Sequence, residues 1–136
     1  MSVRIDVLYE GDLQCTAIHA PSGERLSTDA PPDNRGRGAH FSPTDLVAAA
    51  MGTCVLTVMG IAALDRDIDM RGTRAQVLKH MSPVPRRRIS KLSVEVRLPA
   101  RLEPAQRRLL ERAAHTCPVH NSLATGTEVE LSFVYK

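Results

Sequence analysis

The stretch that decides the fold is residues 42–64, which read SPTDLVAAAMGTCVLTVMGIAAL. Ser42 supplies a helix N-cap, Pro43 suits the first helical position, and Asp45 in the first turn suits the helix dipole. No charged residue follows until Asp65, so almost every face of the predicted helix is apolar. Because such a helix must be surrounded by other groups, we expect it to be the central element of the fold, covered in part by a second copy of the chain.

The same stretch is also long enough to cross a membrane. However, Ala, Gly and Thr make up much of it, and no belt of aromatic residues flanks it at both ends. Its ends carry Asp45 on one side and Asp65-Arg66-Asp67 on the other, which is not the one-sided excess of Lys and Arg that orients a membrane span. We therefore predict a buried helix and no membrane partner.

Alternating apolar residues on both sides of this helix predict strands. Residues 3–9 and 13–17 form a predicted hairpin, and residues 24–28 a short third strand. After the helix, the pattern predicts strands over residues 74–80, 89–98 and 129–135, and further helices over residues 103–115 and 119–124. This order predicts an α+β fold with one domain over residues 1–136, in which a largely antiparallel sheet wraps around the long central helix.

Composition narrows the classes of function and location. Two Phe, two Tyr and no Trp leave little surface for stacking on bases, so we expect no nucleic-acid partner. The densest basic cluster, Arg86-Arg87-Arg88, follows two prolines and is interpreted as a solvated turn. Three cysteines and no signal-peptide pattern favour a protein of the reducing cytoplasm over a secreted fold held by disulfides.

Two of the three cysteines stand in settings that differ chemically. Cys54 lies inside the apolar helix, where a thiol is usually core filler. Cys117 directly precedes Pro118, which makes it the predicted N-cap of a short helix, and the free N–H groups there lower the pKa of a thiol. If the fold brings the two together, they form a dithiol. Cys15, in a strand, is expected to be structural.

His115 and His120 flank Cys117 and open two further interpretations. In one interpretation, these histidines are hydrogen-bond partners or a proton shuttle for the thiol. In the other, they are exposed surface residues without a role in the chemistry. Together with Cys117, and with Cys54 or His40, they are also candidate ligands of a zinc ion. Zinc sites are usually signalled by paired short spacings, and the sequence has only one such cluster, so we expect no metal and no cofactor.

The two segments that carry Cys54 and Cys117 resemble the signature segments of a known family. Residues 42–54, followed 63 positions later by Cys117-Pro118-Val119-His120, are similar to those of the osmotically inducible protein C (OsmC) family, which includes the organic hydroperoxide resistance proteins. The order of the elements is similar over nearly the whole chain. The resemblance implies an intertwined homodimer whose central helices pack together, with the active sites at the interface.

The resemblance also implies an enzyme, a thiol-dependent peroxidase with an antioxidant role in stress response. In such proteins the cysteine that matches Cys54 is the peroxidatic thiolate, and the one that matches Cys117 is the resolving thiol; a dithiol reductant resets the site. The apolar surroundings favour organic hydroperoxides over hydrogen peroxide. This assignment differs from the dipole argument, which makes Cys117 the more acidic thiol.

One part of the family pattern is not matched. In the hydroperoxide resistance branch a glutamate holds an arginine that activates the peroxidatic cysteine, and Thr44 stands in the place of that glutamate, with Asp45 next to it. Among Arg25, Arg35 and Arg37 we select Arg37, because its glycine neighbours allow the loop over residues 30–40 to fold over the site. The predicted catalytic residues are Cys54, Cys117, Arg37 and Asp45.

Thr44 keeps a second function open. In that alternative, the chain forms a non-catalytic or weakly catalytic dimer of the same family. The dimer binds a small apolar or thiol-containing ligand, or it senses oxidation through the disulfide. This alternative predicts slow turnover of hydroperoxide or none.

Overall fold

The computed structural model describes all residues, Met1–Lys136. The chain begins with three strands and ends with one, and its longest element is a 23-residue helix. In chain order the elements are β1 (Ile5–Gly11), β2 (Gln14–His19), β3 (Arg25–Asp29), α1 (Pro43–Asp65), β4 (Arg74–Ser82), β5 (Arg88–Leu98), α2 (Pro104–Ala114), α3 (Pro118–Ser122) and β6 (Glu128–Tyr135). The predicted α+β class and the long apolar helix are confirmed.

The chain divides into two compact units, residues 1–47 and 48–136. The first unit contains a three-stranded sheet in the order β1-β2-β3 and the start of α1. The second contains the rest of α1, the helices α2 and α3, and a three-stranded sheet in the order β4-β5-β6. The strands therefore form two sheets rather than the single sheet that we predicted, and the single domain over residues 1–136 stays a prediction.

In the first unit, β1 and β2 form the predicted hairpin. Its turn residues Asp12 and Leu13 both have positive φ angles, 54° and 63°, as the tight turns that join twisted strands require. The loop that follows β3 is closed at its base, where the Asp29 N–H donates to the Phe41 carbonyl at 3.1 Å. This closure holds both ends of the loop that contains Arg37.

In the second unit, β5 is the central strand of the sheet. Its inward-facing residues are fully buried, as the alternation predicted, and are Leu92, Val94, Val96 and Leu98. β4 pairs with β5 antiparallel, but β6 pairs with β5 in parallel. The strand pairing is therefore largely antiparallel, as predicted, with β5 and β6 as the exception. Parallel neighbours need a long crossover, and α2 and α3 supply it between β5 and β6.

α1 buries one stripe of its surface within the chain, formed by Ala48, Met51, Gly52, Val55, Met59 and Ala63. Gly52 allows β4 to approach closely, because a Cβ atom there would lie 2.8 Å from Val77 Cγ2. At Gly60, by contrast, a Cβ atom would meet nothing within 4 Å. Ile61 is 56% exposed and Leu64 83% exposed. A single chain therefore leaves part of this apolar helix uncovered.

By length and composition, α1 is the one helix that qualifies as a membrane span. The core helix of a soluble protein passes the same test, and 33% of the qualifying stretch is buried within the chain. The absence of a membrane partner stays a prediction.

The start of α1 is fixed by a reciprocal cap. The Asp45 N–H donates to Ser42 Oγ at 3.1 Å, and the Ser42 N–H donates to Asp45 Oδ2 at 2.9 Å. The Thr44 hydroxyl lies 3.2 Å from Ser42 Oγ. Two N–H groups that the helix cannot satisfy internally are thereby satisfied, and the sequence-based helix start is confirmed.

We expect Asp45→Ala to lower the free energy of unfolding by about 0.5–1 kcal/mol, because the Ser42 N–H loses its acceptor. Asp45→Asn keeps an oxygen acceptor of the same reach and should lose less. Urea unfolding of the two variants beside the parent measures the difference. Equal losses for both variants would contradict a role of Asp45 as a hydrogen-bond acceptor in the cap.

Candidate active site

α1 and α3 bring two cysteines of the second unit together. Cys54, on α1, is half-buried, and Cys117, directly before α3, is fully buried. The Cys54 thiol lies close enough to Cys117 to raise the pKa of the Cys117 thiol, and both thiols are free. Although 63 positions separate them in the sequence, they form the dithiol that the sequence analysis left conditional.

Cys117 is the N-cap of α3, as predicted from Pro118. Its Sγ accepts a hydrogen bond from the backbone N–H of His120 at 3.4 Å. Pro118 occupies the first turn, where no N–H donor is needed. The cap therefore fixes the Cys117 side chain by local geometry, independently of its contact with Cys54.

The dipole argument for an acidic Cys117 was wrong. Burial raises the pKa of the Cys117 thiol, and the contact with Cys54 raises it further, whereas the N–H groups of His120 and Val119 oppose the change. Burial removes the water that stabilises a thiolate, and the few N–H groups of a five-residue helix do not replace it. Cys117 is therefore a protonated thiol at neutral pH.

Met51 adds a third sulfur that the sequence analysis missed. It is fully buried, and its Sδ lies 4.0 Å from Cys117 Sγ, with the thiol as donor. Met51 precedes Cys54 by three residues on α1, which places the two side chains on the same side of the helix. From this spacing, Met51 could have been recognised as a neighbour of Cys54 on the same side of α1.

The contacts of the two flanking histidines differ. The exposed His115 ring packs edge-on against Phe133, with 6.3 Å between the ring centroids. His120 contacts Cys117 through its backbone N–H. No group of three or more His, Cys, Asp or Glu side chains converges where a metal ion could bind, so the zinc ligands considered from the sequence are not assembled.

Arg37 and Asp45, the other two predicted site residues, lie in the first unit. Arg37 is exposed and lines a cavity of about 520 Å³ that is otherwise formed by Asp12, Leu13, Arg35 and Gly36. The buried Asp29 holds this loop, since its Oδ2 accepts the Ala39 N–H at 3.1 Å. That hydrogen bond is the main reason that the pKa of Asp29 is lowered.

The carboxylate of Asp45 is engaged in the cap of α1. A catalytic role for Asp45 therefore stays a prediction, as does the action of Arg37 on Cys54. The third cysteine, Cys15, lies in β2 of the first unit, opposite Tyr9 and Thr28, and is free.

Comparison with known proteins identifies the family. A profile of OsmC-like proteins matches residues 36–132. A structure from Psychrobacter arcticus 273-4, provisionally described as an osmotic stress induced and detoxification response protein, is 39% identical, with a TM-score of 0.89; the match covers 95% of this chain and 93% of that chain.

Two organic hydroperoxide resistance proteins share the fold at lower identity. The one from Legionella pneumophila is 15% identical, with a TM-score of 0.75 and coverage of 98% of this chain and 97% of that chain. The one from Elizabethkingia anophelis is 14% identical, with a TM-score of 0.80 and coverage of 100% and 97%. No curated protein sequence matches the chain significantly. The family profile covers more than half of the residues, including both cysteines of the dithiol, and the chain therefore belongs to the OsmC-like family.

Proposed function

We propose that this protein reduces organic hydroperoxides with the thiols of Cys54 and Cys117. The observation that carries the proposal is the contact between these two thiols in a chain of the OsmC-like family. The structural relatives described as organic hydroperoxide resistance proteins support the same class of substrate. The protein would then contribute to hydroperoxide resistance and stress response, as a cysteine-based peroxidase of the cytoplasm.

The reaction proceeds in three balanced steps. The Cys54 thiolate attacks the distal peroxide oxygen, the O–O bond breaks, and the alkoxide takes a proton to leave as an alcohol. The Cys117 sulfur then attacks the sulfur of the Cys54 sulfenic acid, which forms a disulfide and releases water. An external dithiol reduces the disulfide, becomes oxidised itself, and restores both thiols.

Burial and pKa support this division of roles. Cys54 is half-buried, so a peroxide can reach it, whereas Cys117 is fully buried. The raised pKa keeps Cys117 protonated and therefore a weak nucleophile until a sulfenic acid forms beside it. The residues of α1 around Cys54 are mostly apolar, which favours a hydroperoxide with an organic group.

A second copy of the chain fits the uncovered surface of α1. Ile61 and Leu64 are exposed on this helix, and in the first unit Ile5, Val7 and Tyr9 are exposed along β1. Monomeric soluble proteins rarely expose large apolar patches of this kind. We therefore include a homodimer in the proposed function.

Thr44 favours a second candidate function. Its hydroxyl packs against the Ser42 hydroxyl in the cap, and it carries no charge with which to hold an arginine. Without a charged group that holds an arginine at Cys54, the chain would turn over hydroperoxide slowly or not at all, as an oxidation sensor or a binder of small apolar or thiol-containing ligands. Consumption of one equivalent of hydroperoxide per chain without further turnover, in excess dithiol, would favour this candidate over the peroxidase.

Substitution of each cysteine separates the proposed roles. We expect Cys54→Ser to abolish consumption of cumene hydroperoxide in the presence of a dithiol, because no sulfenic acid forms. Cys117→Ser should let Cys54 proceed to sulfinic acid under excess peroxide, seen by mass spectrometry as a gain of two oxygens. Cys15→Ser is the control and should retain parental activity. Turnover that survives Cys54→Ser would rule out the assignment.

Arg37→Gln tests the arginine chosen from the sequence. If the guanidinium stabilises the Cys54 thiolate, we expect the rate of Cys54 oxidation to fall about tenfold or more. Arg35→Gln is the matched control, because it makes the same change in charge two residues away and should have a smaller effect. Stopped-flow measurement of the first oxidation gives the rates. An unchanged rate in Arg37→Gln would remove Arg37 from the site.

Light scattering tests the dimer. We expect the parent to have twice the mass of one chain, and Leu64→Asp to shift it toward the monomer, because the carboxylate would be buried in an apolar interface. Val84→Asp changes another exposed apolar residue, in the turn between β4 and β5, and should leave the mass unchanged. A monomeric parent, or dissociation in both variants alike, would contradict this interface.

A further inference from the structure

Three sulfur atoms of two kinds lie close together in the second unit. Two are thiols that contact each other, on Cys54 and Cys117, and the third is the thioether of Met51, 4.0 Å from Cys117 Sγ. Met51 and Cys117 are fully buried, and Cys54 is half-buried. The proposed peroxidase uses the two thiols and gives the thioether no part.

The separation of Met51 Sδ and Cys117 Sγ fits two ligands of a three-coordinate soft metal ion. With metal–sulfur bonds of about 2.3 Å, the corners of a trigonal site lie about 4 Å apart. The observed distance between Met51 Sδ and Cys117 Sγ is 4.0 Å. Cys54, three residues after Met51 on the same side of α1, contacts Cys117 and supplies the third corner.

The kind of ligand selects the metal. Thiolate and thioether sulfur favour Cu(I), whereas carboxylates and water favour Mg²⁺, Ca²⁺ and Mn²⁺. No cluster of His, Asp or Glu side chains lies at the dithiol to complete a tetrahedral zinc site. Two of the three sulfurs, those of Met51 and Cys117, are fully buried, which favours an ion that binds without water.

We propose that Met51, Cys54 and Cys117 bind one Cu(I) ion through three sulfur atoms. Each thiol releases its proton as its sulfur binds, so two protons leave per ion, the thioether stays neutral, and no electron is transferred. The ion enters beside Cys54, which is the least buried member of the set. The His120 N–H, which already donates to Cys117 Sγ, stabilises the thiolate that results.

Binding of Cu(I) occupies the sulfurs that the peroxidase reaction requires. A loaded chain therefore neither reduces hydroperoxide nor forms the disulfide until the ion is removed. The binding itself does not depend on the proposed peroxidase activity, because it needs only the reduced thiols and the thioether.

The test is an anaerobic titration of the reduced full chain with Cu(I) buffered by bicinchoninate. We expect one ion per chain, and Met51→Leu should weaken the affinity by about tenfold or more, since it removes a ligand at nearly constant volume. Met59→Leu is the matched control, because Met59 is a fully buried methionine of the same helix outside the sulfur cluster, and should bind as the parent does. An excess of Zn(II) should not displace Cu(I).

X-ray absorption at the copper edge gives a readout independent of any variant. We expect three sulfur scatterers in the parent and two in Met51→Leu. Equal affinities of Met51→Leu and Met59→Leu would overturn the thioether ligand. Displacement by Zn(II), or nitrogen and oxygen scatterers in the parent, would overturn the site as a whole. If Met51→Leu does not fold, the spectrum of the parent still decides the outcome.

Discussion

The burial of Cys117 beside α1 is the interaction on which the site depends. Its sulfur contacts Cys54 and Met51 of α1 and accepts an N–H from α3, so three contacts from two helices hold one atom in place. Burial stabilises the neutral thiol more than the helix N-terminus stabilises the thiolate. The result is a protonated thiol close to Cys54, as the proposed resolving role requires.

The apolar character of α1 serves this arrangement in two ways. Its buried stripe packs on the sheet of the second unit, with Gly52 against Val77, and thereby fixes Cys54 opposite α3. Its uncovered side, which includes Leu64, offers an apolar surface to a second copy of the chain. Stability, proposed assembly and proposed chemistry therefore all use the same helix, which explains why so long a stretch of sequence lacks charge.

The features that the sequence predicted well are those set by neighbouring residues. Ser42, Pro43 and Asp45 define the start of α1, Pro118 makes Cys117 an N-cap, and alternation identifies the buried face of β5. Local pattern determines each of these through backbone hydrogen bonds or through the period of the strand.

The features that the sequence did not predict depend on tertiary structure. Alternation in β6 is the same for parallel and antiparallel pairing, so it could not indicate the direction in which β6 joins β5. The pKa of Cys117 depends on water excluded by α1, which is remote in sequence. The spacing of Met51 and Cys54 placed them on one side of the helix, but their contact with Cys117 depends on the fold.

The most direct test of the proposed dithiol chemistry is disulfide mapping after oxidation with one equivalent of hydroperoxide. We expect a single intrachain disulfide between Cys54 and Cys117 with Cys15 free, whereas a disulfide that includes Cys15, or one between two chains, would rule out the proposed dithiol chemistry.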